Sequence, residues 1–193
     1  MIEDTAPDLA PVRDSAGTAL ADLIAAIGDR KLPPVELWHP THCGDSDMRI
    51  AADGTWWHAG TPIGRPELVR LFSTILRREA DGSYVLVTPG EKLDILVDDA
   101  PFVAVEATVA GEGAAATIAF RLNTGDHVVA GAGNRLRVET APDGTPRPYL
   151  HVRAGLEALV ARAVFYQLAE IALAADPPGV WSGGEFFVFG SAA

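Results

Sequence analysis

Two segments decide how this chain is read: Arg49-Ile50-Ala51-Ala52-Asp53-Gly54-Thr55-Trp56-Trp57-His58, with Arg65 downstream, and Arg137-Val138-Glu139-Thr140-Ala141-Pro142-Asp143-Gly144-Thr145, with Arg153 downstream. Each runs from an arginine and an aliphatic residue into Asp-Gly-Thr, then an aromatic-bearing strand, a second arginine and an apolar stretch of helical spacing. Asp53 to Asp143 is ninety residues and Arg65 to Arg153 is eighty-eight. The pattern predicts a duplicated strand-hairpin-helix unit. Asp-Gly suits the positive φ angles of a tight hairpin turn, which is why both dipeptides are read as turns between strands.

Outward from the first segment, Arg65-Pro66 opens a helix with proline where its missing N–H costs nothing, and Leu68, Leu71, Phe72, Ile75 and Leu76 form its buried stripe. Alternation and turn residues then predict strands over 84–87, 93–97, 102–109, 116–122, 127–130, 136–139 and 149–152. A long helix is expected from 153 to about 174, with Leu156, Leu159, Val160, Ala163, Val164, Leu168 and Ile171 on one face, and 185–189 reads as a late strand. Near the N-terminus, Leu20, Leu23, Ile24 and Ile27 fall on one face of a short helix behind an acidic, proline-containing tail. The organisation expected is a mobile tail with a short helix over 1–35, an N-terminal α/β repeat over 36–80, and a β-rich repeat with a long helix over 81–193. The fold class is α+β: a duplicated motif whose C-terminal half is a curved antiparallel sheet with a capping helix, superficially like a pleckstrin-homology domain.

The chain has 193 residues, 48% of them hydrophobic and 21% charged, which suits a packed core and excludes disorder over most of its length. Fifteen Lys and Arg against 26 Asp and Glu give a net charge of −11, the wrong sign for neutralising nucleic-acid phosphates. Residues 154–175 are apolar but interrupted by Glu157, Arg162, Gln167 and Glu170, so no membrane span is expected. One cysteine, Cys43, permits no internal disulfide, and the N-terminus lacks a signal-peptide layout; the chain reads as cytoplasmic.

Arg65 and Arg153 each precede a predicted helix, where the N-terminal partial charge disfavours a cation, so an anion is expected nearby. The anion is either a ligand phosphate or carboxylate, or an acid of the chain such as Asp98, Asp99 or Glu91. Thr88 and Lys92 flank a polar turn that can face a ligand, and Tyr149 or Trp57 can stack on an apolar ring. Asp98 and Asp99 are adjacent on extended backbone and so point to opposite faces, which argues against a shared proton. His39, His42, Cys43, Asp45 and Asp47 offer metal-ligand types without a paired-ligand spacing. Gly131-Ala132-Gly133-Asn134 lacks the third glycine of a dinucleotide fingerprint, no Gly-Lys-Ser/Thr phosphate loop occurs, and Ser182 lacks a nucleophile-elbow context.

Trp38-His39-Pro40, the run from Cys43 to Ile50, Asp53-Gly54-Thr55-Trp56, Gly60-Thr61-Pro62-Ile63-Gly64-Arg65, Leu86-Val87-Thr88-Pro89 and Asp99-Ala100-Pro101-Phe102 together resemble the bacterial family known as domain of unknown function 1285. Pro148-Tyr149, Val152-Arg153-Ala154-Gly155-Leu156 and Gly179-Val180-Trp181-Ser182-Gly183-Gly184 extend the resemblance, which covers about 37–187. Two turns depart from the family's pattern: Thr124 follows Asn123 where the reverse order is expected, and Asn134-Arg135-Leu136 stands in place of His-Pro-Leu. The resemblance implies a duplicated α+β core, a nucleotide-type ligand site between the halves and a role in signal transduction. The reading is therefore a binding or sensory module holding a small anionic ligand through Arg65, Arg153, Lys92, Thr88, Tyr149 and Trp57, with a protein partner in a signalling pathway, no nucleic acid, and a cofactor left unknown. The alternatives are a metal-assisted hydrolase using Asp45, Asp47 or His42, and a protein-interaction module built on exposed tryptophans.

Overall fold

The computed structural model describes residues 32–189. The acidic tail and the helix expected over 20–27 lie outside them. Strands β1 (His42–Ile50), β2 (Trp56–His58) and β3 (Thr61–Pro62) are followed by helix α1 (Pro66–Thr74) and by β4 (Leu76–Arg78), β5 (Tyr84–Val87) and β6 (Lys92–Val97). The second half continues with β7 (Phe102–Ala110), β8 (Thr117–Leu122), β9 (His127–Val129), β10 (Leu136–Thr140), β11 (Pro146–Arg153) and β12 (Leu156–Val160). Helix α2 (Arg162–Ala172) and a hairpin of β13 (Gly179–Ser182) and β14 (Glu185–Val188) complete it.

Each half is a six-stranded sheet, ordered β3-β2-β1-β6-β5-β4 in the first and β9-β8-β7-β12-β11-β10 in the second. The two orders are the same. In both, the first strand lies beside the sixth and runs parallel to it, β1 with β6 and β7 with β12, while every other pairing between neighbours is antiparallel. The fold is thus a duplicated α+β arrangement, but its second sheet is not wholly antiparallel as the sequence suggested. Strands β5 and β6, beyond residue 80, complete the first sheet, and the chain passes to the second across residues 98–101.

The register of the duplication differs from the one the sequence suggested. His42 and Phe102 open corresponding strands, as do Leu76 and Leu136, each pair sixty residues apart. The turn at Asp143-Gly144 joins β10 to β11 and therefore corresponds to Asp81-Gly82 between β4 and β5, not to Asp53-Gly54 between β1 and β2. Similar turn chemistry at non-equivalent corners produced the apparent ninety-residue repeat.

Two helix boundaries are also corrected. Helix α1 ends at Thr74: Leu76 is buried on β4 rather than on a helix face, Leu71 is exposed, and Ser73 is the helix's buried residue. The expected long helix begins as a strand, with Ala154 and Gly155 at φ of 43° and 76° turning the chain from β11 into β12. Leu156, Ala158 and Val160 then alternate inward with period two and pair parallel to β7. Those apolar residues also match helical spacing, and the tertiary partner decides between the two.

One core joins both halves. Met48, Ile50, Trp56 and Leu76 of the first sheet belong to the same buried cluster as Phe102, Phe120, Leu150, Leu156 and Leu168 of the second. Burying a Leu or Phe side chain fully contributes about 1.5–3 kcal/mol. The β13–β14 hairpin is fastened to the second sheet by Ser182, fully buried, whose hydroxyl accepts from Ile118 N–H and donates to Ala130 O, each at 2.8 Å.

Candidate functional site

The halves meet around α1 and the β8–β9 turn. Asn123 in that turn accepts from the Val103 N–H at 3.1 Å and donates through Nδ2 to Gly54 O in the β1–β2 turn, also at 3.1 Å. Gly54 has φ of 83°, and a Cβ there would lie 2.5 Å from Asn123 Nδ2 and 2.8 Å from Val103 Cγ2, so the close approach requires glycine. From α1, Arg70 Nε donates to Thr124 O at 3.0 Å, and its guanidinium fills the space a Cβ on Gly125 would need.

Between these contacts lies a cleft of about 630 Å3 whose lining includes Gly54, Trp56, Gly64, Arg70, Arg121 and Asn123. The first turn of α1 borders it with Pro66 and Glu67, and the N-cap residue, Arg65, makes no side-chain capping bond. Pro66 has no N–H and the Leu68 and Val69 N–H groups donate to Arg65 O at 3.1 and 3.3 Å, so this turn leaves the Glu67 N–H as its backbone donor, with partial positive charge at the helix start. Trp56, 1% exposed, has the single buried side-chain polar atom lacking a partner among the described residues, its indole N–H. An orphaned donor of this kind costs about 1–3 kcal/mol. Arg121 carries an exposed ion pair with Glu106 at 2.7 Å.

Arg65 lies on the other flank of the same helix turn, in a groove of about 420 Å3 beside Met48, Pro62, Ile63, Leu68 and Phe72. It forms no ion pair or side-chain hydrogen bond with any described residue. The acid expected beside it is absent from the described residues, although a cation at a helix start is disfavoured by roughly 0.3–1 kcal/mol.

Arg153 ends β11 and starts no helix. Its Nη2 donates to Ser73 O at 2.6 Å, in the last turn of α1, and its guanidinium stands 5.2 Å from the centre of the Phe102 ring. A cation at a helix C-terminus complements the dipole. Arg65 and Arg153 thus serve opposite ends of α1, eight residues or about 12 Å apart at 1.5 Å per residue, and do not converge.

The other sequence candidates are dispersed. Thr88 Oγ1 accepts from Glu91 N–H at 3.1 Å within its turn, and Lys92 Nζ lies 3.9 Å from Glu79. Trp57 is half-buried on β2, opposite Arg49 and Pro62. Tyr149 is buried, its hydroxyl donating to Asp99 at 2.8 Å and its ring covered by the Arg137 guanidinium at 4.5 Å. Burial and the bond to Asp99 push its pKa up to about 12. Arg65 lines one groove and Lys92 another, and neither groove holds a second member of the six. Asp98 and Asp99 do face apart. Asp98 takes a two-pronged bond from Arg49 at 2.8 and 2.5 Å, which lowers its pKa, and Asp99 pairs with Arg147 and Tyr149 of the second sheet. Among the described residues no group of three or more His, Cys, Asp or Glu is placed to hold a metal ion; His42 pairs with Asp94 at 2.9 Å. No helix among them is long and apolar enough to cross a membrane.

Sequence reasoning misses Arg70 and Arg121, and reads Asn123 with Asp126 most simply as a turn, with a ligand role left open by its place after a strand. The dense polar turn Asn123-Thr124-Gly125-Asp126 was the available signal; what faces it, Gly54 sixty-nine residues away, is a product of the fold.

The N-terminal domain of the DUF1285 family, described as a domain of unknown function, matches residues 33–100, and that family's C-terminal domain matches 101–189. The chain belongs to the DUF1285 family. Its two domain profiles meet where the two sheets do. A DUF1285 family protein from Silicibacter pomeroyi DSS-3 is 50% identical, with 88% of this chain and 95% of that one aligned at a TM-score of 0.79. A DUF1285 protein from Shewanella baltica OS155 is 25% identical over 64% of this chain and 90% of that one, at a TM-score of 0.50. No curated protein matches the chain.

Proposed function

We propose that this DUF1285 protein binds a small anionic ligand in the cleft between its halves. The observation that carries the reading is the conjunction, in one cleft lined from both halves, of an uncapped helix start, the Arg121 guanidinium and the orphaned Trp56 indole. A helix-start backbone donor and a forked cation suit a phosphate or carboxylate, and a volume of this order suits a nucleotide-sized molecule. In this reading the chain is a cytoplasmic binding or sensory module suited to signal transduction. On the same footing, the second half, a curved sheet followed by α2, is read as superficially similar to a pleckstrin-homology domain, its parallel β7–β12 pair notwithstanding.

The test is thermal stability of the full chain against inorganic phosphate, mononucleotides and dicarboxylates. A ligand at a hundred times its dissociation constant adds about 2.7 kcal/mol, a shift of several degrees at this size. The expected result is a selective shift that Arg121→Ala reduces without altering the unliganded midpoint. Absence of a shift with every anion overturns the reading.

A further inference from the structure

Resting on that reading, we infer that the ligand is an amphiphile: its anionic group occupies the seam cleft and its hydrocarbon part lies in the groove on the other flank of the first turn of α1. The cleft and the groove share Ile63 and Gly64 as a common wall, so one molecule passing over that wall reaches both. The wall is low, because a Cβ built on Gly64 meets nothing within 4 Å.

The chemistry of the two sides differs. The cleft supplies Arg70, Arg121 and Asn123 beside the carboxylates of Asp53 and Glu67, whereas the groove is mostly apolar, through Met48, Ile63, Leu68 and Phe72, with His58, Thr61 and Arg65 as its polar members. The predominantly apolar lining rewards burial of CH2 groups in proportion to area. That favours an alkyl or acyl chain over a nucleobase. Helix α1 is held from its far end by Arg153 and along its length by Arg70, so the first turn is a fixed divider between head and tail.

Calorimetric titration of the full chain with inorganic phosphate and with methyl, butyl, hexyl and octyl phosphate tests this, with hexanol as the neutral arm. Affinity is expected to rise about three- to fourfold per added CH2 until the groove is filled, with hexanol far weaker than hexyl phosphate. Leu68→Gln, at a half-buried position that only the groove uses, should flatten the rise while leaving inorganic phosphate affinity within about twofold; Gly64→Trp, free of positive φ and of close neighbours, should also blunt it by raising the wall. Equal affinity for all the phosphates overturns the amphiphile while the anion site stands; equal affinity for hexanol and hexyl phosphate overturns the amphiphile because the phosphate then adds nothing to binding. Failure of every phosphate to bind overturns both.

Discussion

The two halves share one strand order and place their helices differently. In the first, α1 is inserted between the third and fourth strands; in the second, that junction is the short loop 130–135, and the helix instead follows the sixth strand. Helix α1 faces the seam, where it meets Thr124 and Arg153 of the other half, whereas α2 stays within its own half, Gln167 donating to Ala107 O at 3.3 Å. The same sheet can therefore carry a helix as glue or as a lid, depending on the corner at which it is inserted. Only the first placement leaves a helix start bordering a cleft between two sheets.

Removing the ring on which the second half leans breaks that docking most severely. Phe102→Ala deletes a fully buried side chain beneath Arg153 at the head of β7. A loss of about 3–5 kcal/mol is expected in denaturant unfolding, with a single coincident transition for both halves if they share one core. Next come the two Asp-Gly-Thr turns, which have nearly the same φ at Gly54 and Gly144, 83° and 81°. Gly144 has open space around a Cβ, so Gly144→Ala should cost only the left-handed penalty of roughly 1–2 kcal/mol. Gly54→Ala adds the clash with Asn123 and Val103 and should cost about twice as much. Equal losses would mean that the seam yields without resistance. Arg153→Met retains much of the stem but loses the bond to Ser73 O and the contact with Phe102; about 1–3 kcal/mol should be lost, and more than in a matching Arg162→Met on α2.

The smallest effect concerns a pairing repeated in both halves. Arg78 lies opposite Tyr84 and Arg137 opposite Tyr149 across corresponding strand pairs, with guanidinium-to-ring distances of 5.8 and 4.5 Å. Both tyrosines have raised pKa values, chiefly through burial, and Tyr149 reaches about 12. Because the folded protein keeps Tyr149 protonated where the unfolded chain ionises near pH 10, stability is expected to fall between pH 10 and about 12. Ultraviolet titration should find the Tyr84→Phe variant retaining the latest-ionising phenol and the Tyr149→Phe variant losing it.

Legibility in the sequence followed the range of the forces involved. Strands such as β7 and β8 were readable because Phe102 and Phe120 sit in short apolar runs bounded by turn residues, a local signal. Strand β12 was misread because Leu156 and Val160 satisfy helical and extended spacing equally, and only parallel pairing to β7, fifty-six residues earlier at Phe102–Ala158, settles it. For the site, the uncapped start of α1 at Arg65-Pro66 was legible, being set by proline's fixed φ. The partners of Arg153, Asn123 and Arg70 were not, since each reaches across fifty or more residues of chain to a backbone carbonyl that sequence does not distinguish from any other.

The parallel neighbours at the centre of each sheet fix where the chain enters and leaves. A half is entered at His42, at one end of its central strand pair, and left at Val97, at the other end, where Asp98 N–H donates to Ile50 O at 3.0 Å. Joining one half's own ends into a ring would require a span of about 20 Å along a six-residue strand, whereas starting a following copy takes only residues 98–101. The unit is thus built for tandem fusion and against circular permutation. Helix α2, beginning one residue after β12, occupies the exit through which a third copy would have to leave.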